Sequence, residues 1–330
     1  MKVAIAGLGL MGGSLALALV QRGNDVLGWN HRSAPYEQAR KNGITCVKTV
    51  EELALARPDI LILCTPLKAM DTVLGKIKLV LDEHTTLTDV GSVKREVLSS
   101  VEKHGLRPLF VGAHPMAGNE LAGFEAADAH LYDSATWAIT VEEDTDKERV
   151  ITVGRMITEG VGNRFIVTTA QEHDRATAQI SHMPHVVATT LAAQLAVNPA
   201  SNIALALAAG SWRDMTRVAL TTPERTQAMV EENPDNVADL LRDQAARMTA
   251  VADLLAQGDA DGLAAFFATA QPYRTVRARL QQGIPEGVYS IRLDESWRER
   301  LLAASRRGGR VEYIDSVEAH ARDFAHLREA

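Results

Sequence analysis

Four segments of this 330-residue chain concentrate side chains able to move protons, grip anions or cradle phosphates. Gly7-Leu8-Gly9-Leu10-Met11-Gly12 is a glycine-rich turn, and Asp89-Val90-Gly91-Ser92-Val93-Lys94 gathers a carboxylate, a hydroxyl and an ammonium. His114-Pro115-Met116-Ala117-Gly118-Asn119-Glu120 supplies an imidazole and a carboxylate. The last runs from Glu172-His173-Asp174-Arg175 through Ser181-His182-Met183-Pro184-His185 to Trp212-Arg213-Asp214-Met215-Thr216-Arg217. Imidazoles titrate near neutrality and suit general acid–base work. Guanidinium forks grip carboxylates and phosphates. Acid–base chemistry on an anionic substrate beside a phosphate-bearing cofactor would use all of these groups.

The glycine turn follows a β-rich run and opens a helical one, the context of a dinucleotide fingerprint. Gly7 permits the tight turn, Gly9 lets the backbone approach a pyrophosphate, and Gly12 brings helix and strand together. The helix start adds oriented N–H groups for phosphate. Leu8, Leu10 and Met11 within the turn, and Thr65 and Pro66 after the apolar run Ile60–Cys64, are expected among the cofactor contacts. An acidic residue ending the second strand would bond the adenosine ribose and repel a 2′-phosphate. Here Asn30 holds that place, followed by His31, Arg32 and Ser33. This set predicts a preference for NADP, with NAD still accommodated.

These residues need a framework, and the first half of the chain alternates strand-like and helical runs, the pattern of a parallel sheet. Strands are expected at Lys2–Ala6, Asp25–Trp29, Ile60–Cys64, Thr86–Asp89, Leu109–Gly112, Ala135–Val141 and Arg164–Thr168. Helices are expected at Ser14–Arg22, Pro35–Asn42, Met70–Leu81, Lys94–His104 and Lys147–Glu159. From about Thr169 to Leu280 alanine and leucine dominate and β-rich alternation ceases, so helices pack there, with breaks at Pro199, Pro223, Pro234 and Gly258. Beyond Gln281, strands at Val288–Leu293 and Arg310–Ile314 flank a helix at Ser296–Arg306. The fold class is α/β: an N-terminal Rossmann-type doubly wound sheet over 1–168, an all-α domain over 169–280 suited to dimerisation, and a small appendage over 281–330.

Composition narrows the function classes. Lysine and arginine number 35 against 42 acidic residues, a formal charge of −7, which argues against a nucleic-acid or anionic-membrane binder. The two cysteines, Cys46 and Cys64, form no CxxC or Cys/His cluster, so a reducing, cytoplasmic setting and no metal are expected. Residues Val3–Val20 carry no charge, yet the glycines within them and a single preceding lysine do not make a signal peptide.

In their order, GLGLMGGSLA, DVGSVK, HPMAG followed by Glu120, EHD, SHMPH and WRDMTR resemble the prephenate/arogenate dehydrogenase family of tyrosine biosynthesis, over roughly Lys2 to Leu280. The resemblance implies a Rossmann domain followed by a helical domain through which the protein dimerises. It implies oxidative decarboxylation of prephenate or arogenate, His114 as catalytic base, Ser92 as its hydrogen-bonding neighbour, His185 at the substrate and Arg217 as clamp for the substrate carboxylate. His182, three residues from His185, reads as the member of the pair that supports the site from behind or packs in the core. Asp214 stands where it would orient Arg217 at i,i+3. Lys94 reads as a substrate or cofactor contact or as a helix start, and Glu120 as a polar ligand to the site or a first-turn helix acid. The roughly fifty residues after Leu280 are short for the ACT regulatory domain that some members carry. Two other classes stand beside this reading. One is another two-domain hydroxyacid or imine reductase, although the chain has no lysine after Asn163 and such enzymes often centre on a lysine in the helical domain. The other is a dinucleotide-sensing regulator, which would need a basic recognition element.

Overall fold

The computed structural model describes residues 1–119, 121–197, 201–283, 285, 287–324 and 326–327. The chain divides into two compact units, Met1–His173 with Gln271–Ala330, and Asp174–Ala270.

The first unit starts with five parallel strands, β1 (Lys2–Ala6), β2 (Asp25–Trp29), β3 (Thr45–Cys46), β4 (Ile60–Leu63) and β5 (Thr86–Asp89), in the order β3-β2-β1-β4-β5. Helices α1 (Leu10–Gln21), α2 (Tyr36–Lys41), α3 (Val50–Leu55), α4 (Leu67–Ile77) and α5 (Arg95–Lys103) connect or follow them. Strand side chains alternate between faces. Val3, Ile5, Ile60 and Ile62 join one core cluster with Leu15 and Leu19 of α1, while Ala4, Ala6, Leu61 and Leu63 join another with Leu53, Leu74 and Val97 of α3, α4 and α5. A strand covered on both faces must be apolar throughout, and every residue of Ile-Leu-Ile-Leu in β4 is buried.

A second sheet follows, in the order β6-β7-β8-β10-β11-β9. Its strands are β6 (Gly112–Pro115), β7 (Thr136–Thr140), β8 (Arg164–Thr168), β9 (Gly287–Arg292), β10 (Gly309–Ile314) and β11 (Glu318–Asp323), with α6 (Lys147–Arg155) between β7 and β8. The expected strand at Leu109–Gly112 is displaced forward: Arg107–Leu109 forms a 3₁₀ turn, and β6 carries His114 paired opposite Ala138. β3 and β11 escape the sequence pattern because β3 is two residues long and β11, Glu-Ala-His-Ala-Arg-Asp, has alanine as its only apolar type.

The C-terminal residues are therefore part of the first unit. β10 pairs antiparallel with β8 through Val311 and Phe165, and α15 (Trp297–Arg306) sends Leu301, Leu302 and Ala304 into the core cluster that holds α1 and β1. The boundary with the helical unit falls between His173 and Asp174, inside α7 (Ala170–Thr177), a few residues later than the composition change suggests.

The second unit is helical. After α7, a π-turn at Ala178–His182 leads without a break into α8 (Met183–Ala196), and Pro184, which has no N–H to donate, falls where the widened turn ends. α9 (Ser201–Leu207), α10 (Gly210–Thr216), α11 (Pro223–Glu231), the long α12 (Pro234–Gln257) and α13 (Ala260–Ala268) complete it. Pro223, Pro234 and Gly258 fall at helix ends as the sequence indicates, whereas Pro199 lies outside the described residues. α14 (Gln271–Gln282) follows as the first segment returned to the other unit.

If the C-terminal residues are integral to the first unit, Leu301→Ala should cost about 2–5 kcal/mol, as for any buried leucine, and should lower dinucleotide affinity with it. Chemical denaturation and dinucleotide titration of the variant check this; an unchanged denaturation midpoint would mean that α15 contributes nothing to the core.

Candidate active site

Gly7 adopts φ +114°, and a β-carbon there would stand 2.5 Å from the Cys64 carbonyl oxygen. A β-carbon at Gly12 would stand 1.9 Å from the Gly7 carbonyl oxygen. Both glycines are thus demanded by the packing of β1, β4 and α1. Gly9 differs: its φ is −89° and a β-carbon would meet no atom within 4 Å. That open space lies at the N-cap of α1, where backbone N–H groups await an anion. Beside the turn, Thr65 Oγ1 is buried without a hydrogen-bond partner, an orphan that a ligand's polar atom would satisfy. Both observations fit a dinucleotide pyrophosphate on Gly9, with Thr65 facing the cofactor.

The side chains of Leu8 and Leu10 are buried, which leaves only their backbone on the side of the turn; Met11 is half-buried and Pro66, the N-cap of α4, is exposed. Asn30 uses its amide to shape the turn. Its Oδ1 accepts the Leu8 N–H at 3.1 Å, and its Nδ2 donates to the Arg32 carbonyl at 3.0 Å. An aspartate could keep the first bond and would set two oxygens against each other at the second. Tyr36 clamps the same turn, its hydroxyl bonding the N–H and the carbonyl of Asn30, and burial raises its pKa. His31, Arg32 and Ser33 stand exposed on the following bend.

Beyond the carboxyl ends of β4 and β5 lie the acid–base residues. The Asp89 carboxylate, fully buried, accepts from Gly91 N at 2.7 Å and Ala113 N at 3.2 Å and pairs with Lys94 Nζ. Lys94, 1% exposed, also donates to the Ala113 carbonyl at 2.7 Å. Lys94 stands at the start of α5, as one of the sequence readings had it, and there it is a buried tie between β5 and β6. His114, half-buried on β6, brings Nδ1 to 2.9 Å from Nε2 of His173, with the rings edge to face. The hydrogen bond expected between Ser92 and His114 is absent: Ser92 is half-buried without a hydrogen-bond partner among the described residues, and the His114 ring is turned to α7. His173, buried on α7, is the site residue that sequence reasoning missed; its only signal was its place in Glu-His-Asp. Glu120 lies outside the described residues.

In the helical unit, His185 Nδ1 lies 2.8 Å from the Ser181 carbonyl. That contact requires a proton on Nδ1, so neutral His185 keeps Nε2 as an acceptor. His182 is buried, and its Nδ1 lies 3.3 Å from Asn233 Nδ2, which also donates to the Asp174 carbonyl at 2.7 Å. It is a satisfied core histidine. Arg217 is exposed and starts a 3₁₀ turn after α10, and no ion pair forms between it and the equally exposed Asp214. Among the described residues no helix is long and apolar enough to cross a membrane, and no cluster of three or more His, Cys, Asp or Glu is arranged to hold a metal ion.

A parallel sheet carrying this glycine cradle, with a histidine pair just beyond the strand ends, defines a nucleotide-binding, NAD(P)-dependent oxidoreductase. Residues 15–167 match the family described as prephenate dehydrogenase, nucleotide-binding domain, and residues 169–269 match prephenate dehydrogenase, dimerization domain. The chain belongs to the prephenate dehydrogenase family. It is 30% identical over 305 residues to the prephenate dehydrogenase of Bacillus subtilis (strain 168), covering 88% of this chain and 80% of that one. Among solved structures it resembles Synechocystis arogenate dehydrogenase, with TM-score 0.74, 28% identity, and 83% and 99% of the two chains covered. It also resembles the prephenate dehydrogenase of A. aeolicus in complex with hydroxyphenyl propionate and NAD+, with TM-score 0.75, 28% identity, and 83% and 98% covered.

The glycines separate packing from ligand. Gly9→Ala should leave thermal stability unchanged and weaken dinucleotide binding about tenfold or more, because the new methyl occupies ligand space. Gly12→Ala should lower both, with an overpacking cost of about 1–3 kcal/mol. Melting curves and dinucleotide titrations of the pair check this; equal loss of stability in both would remove the cradle argument.

Proposed function

We propose that this protein catalyses the oxidative decarboxylation of prephenate, arogenate or both, with NADP preferred over NAD, as a cytoplasmic homodimer formed through its helical unit. The observation that carries the reading is the His114–His173 contact beside the glycine cradle. A hydrogen bond between two ring nitrogens holds one proton. When His114 donates Nδ1–H to His173 Nε2, His114 Nε2 carries the lone pair a general base needs. His173 then positions the ring and fixes its tautomer.

The substrates of this reading bear a ring carboxylate and a 4-hydroxyl. His114 takes the hydroxyl proton as the carbonyl forms. Bound on Gly9, Thr65 and the bend at Asn30–Ser33, the nicotinamide dinucleotide supplies the hydride acceptor. The hydride leaves the carbon that bore the hydroxyl, and the ring carboxylate departs as carbon dioxide; the electron pair of the broken C–C bond makes the ring aromatic and the carbonyl a phenolate, which takes back a proton. Arg217 serves as the clamp for a substrate carboxylate, and its exposure without an ion pair suits that role. His185 offers Nε2 to a substrate donor. NADP preference rests on an amide where an acidic residue would repel a 2′-phosphate, followed by an exposed Arg32. The dimer rests on the exposed apolar side chains of the second unit, among them Ile180, Ile203, Leu207, Leu220 and Phe267.

Steady-state turnover of prephenate and arogenate with each dinucleotide tests the activity and the preference together. NADP should give the higher kcat/KM; no oxidation of either substrate would overturn the activity, and a higher value with NAD would overturn the cofactor assignment alone.

His114→Asn keeps a hydrogen-bonding side chain and cannot accept the proton, so turnover should fall by about 10²–10⁴ with KM little changed. The wild-type rate should rise with pH as the base gives up its proton, and that limb should vanish in the variant. Turnover within a few-fold of wild type, with the limb intact, would place the base elsewhere.

A further inference from the structure

Away from the dinucleotide turn, a cavity of about 260 Å³ opens where the C-terminal strands meet β8, lined by Ser134, Ala135, Gly162, Asn163, Arg164 and Glu312. It is smaller than the roughly 300–1,000 Å³ typical of drug-sized ligands, so it suits a compact group. Two backbone positions at its rim are left-handed: Gly162 at φ +84° and, unusually for a residue with a side chain, Ser134 at φ +63°.

Its lining holds one arginine, Arg164, and one glutamate, Glu312, and further arginines gather beside them. Arg164 and Arg310 both stack on Phe324, their guanidinium carbons 5.5 and 4.4 Å from the ring centre. Arg310 stands opposite Arg322 in the β10–β11 register, and a nitrogen of Arg22 lies where a methyl at Gly162 would come within 2.1 Å. The cluster's carboxylate, Glu312, is already bonded by Arg322 at 2.6 Å. Arg22, Arg310 and Arg322 thus add positive charge beside a cavity whose own lining holds Arg164 and Glu312, in a chain whose total is −7. Among the described residues Arg22, Arg164 and Arg310 have no ion pair, and Arg164 Nε is buried without a hydrogen-bond acceptor. Burial and the neighbouring Arg164 pull the Arg310 pKa below its ordinary value. Stacking on one aromatic ring offsets part of the cost of gathering these charges, but it supplies no acceptor for Arg164 Nε and does not relieve the repulsion.

We propose that this cavity binds a small multivalent oxyanion, a phosphate ester or a polycarboxylate, whose oxygens accept from Arg164 Nε and the Arg310 guanidinium. A bound anion would join β8 of the nucleotide-binding half to β10, β11 and Phe324 of the C-terminal strands, so its occupancy stabilises the first unit. Neither the glycine turn nor the groups assigned to the substrate take part.

The test uses the full chain with saturating NADP, so that added anion cannot act at the pyrophosphate seat. Inorganic phosphate and citrate are titrated separately, against sodium chloride at matched ionic strength, by calorimetry and melting. Either anion should bind saturably and raise the melting temperature where chloride does not; the one that binds tighter identifies the ligand chemistry. Arg164→Gln and Arg310→Gln should each weaken binding about tenfold or more, a loss of about 1.4 kcal/mol. Arg217→Ala should leave it unchanged, which separates this cavity from a carboxylate clamp in the helical unit. If Arg164→Gln folds poorly, Arg310→Lys, which keeps the charge and loses the fork, should still weaken binding. Stabilisation equal to that of chloride, or identical binding in the Arg310 variants, would overturn the proposal.

Discussion

A buried carboxylate organises the acid–base side of this protein. Asp89 is fully enclosed at the end of β5 and satisfied by two backbone N–H groups and the Lys94 ammonium. A charge in that position is tolerated only when paired and hydrogen-bonded, and loss of one partner costs about 3–5 kcal/mol. The groups that satisfy it belong to the turn that carries Ser92, to the start of α5, and to β6 immediately before His114. Lys94 closes the loop by bonding the carbonyl of the same Ala113 whose N–H bonds Asp89. One carboxylate therefore fixes the backbone on both sides of the site, and the histidine inherits its place from a strand it does not itself stabilise.

The cofactor side rests on a different constraint, close approach between backbones. Gly7 and Gly12 have no room for a side chain, while Gly9 has room that none of the described residues uses. Three glycines in one hexapeptide thus answer to two causes, packing and ligand. The Asn30 amide adds a third element by tying the Leu8 N–H to the end of β2. The residue expected to choose the cofactor is also a strut of the phosphate turn, so specificity and loop shape are joined at one side chain.

Much of the fold was legible because its signals are local. The apolar run of β4 declared a strand covered on both faces, and the prolines before α11 and α12 marked helix starts. What escaped depends on non-local partners. β11 became a strand because β9 and β10 flank it, although its own sequence is mostly polar and charged. The C-terminal residues read as an appendage by length and composition, yet they complete a sheet begun nearly two hundred residues earlier. In the site, His114 and the glycines could be named from motif and spacing. His173 could not be assigned, since nothing in Glu-His-Asp announces a contact fifty-nine residues away. Lys94 could be read as a ligand contact or as a helix start; burial against Asp89 shows its structural work. Asp214 and Arg217 have the spacing of a helical pair, yet both side chains stand exposed and form no ion pair with each other, since spacing alone does not hold two solvated charges together.

The histidine contact shows why the missing residue matters to the chemistry. A base near neutral pH needs a particular ring nitrogen unprotonated, and an isolated imidazole divides its proton between two tautomers. His173 removes that ambiguity only if its own Nε2 is the acceptor, which in the neutral ring requires the proton on its Nδ1. The competence of His114 therefore depends on a tautomer held within α7, a helix that begins in the nucleotide-binding unit and continues into the helical one. His173 is the last residue assigned to the first unit, and Asp174, whose carbonyl accepts from Asn233, is the first of the second. The proton inventory of the base is thus set at the point in the chain where one unit gives way to the other.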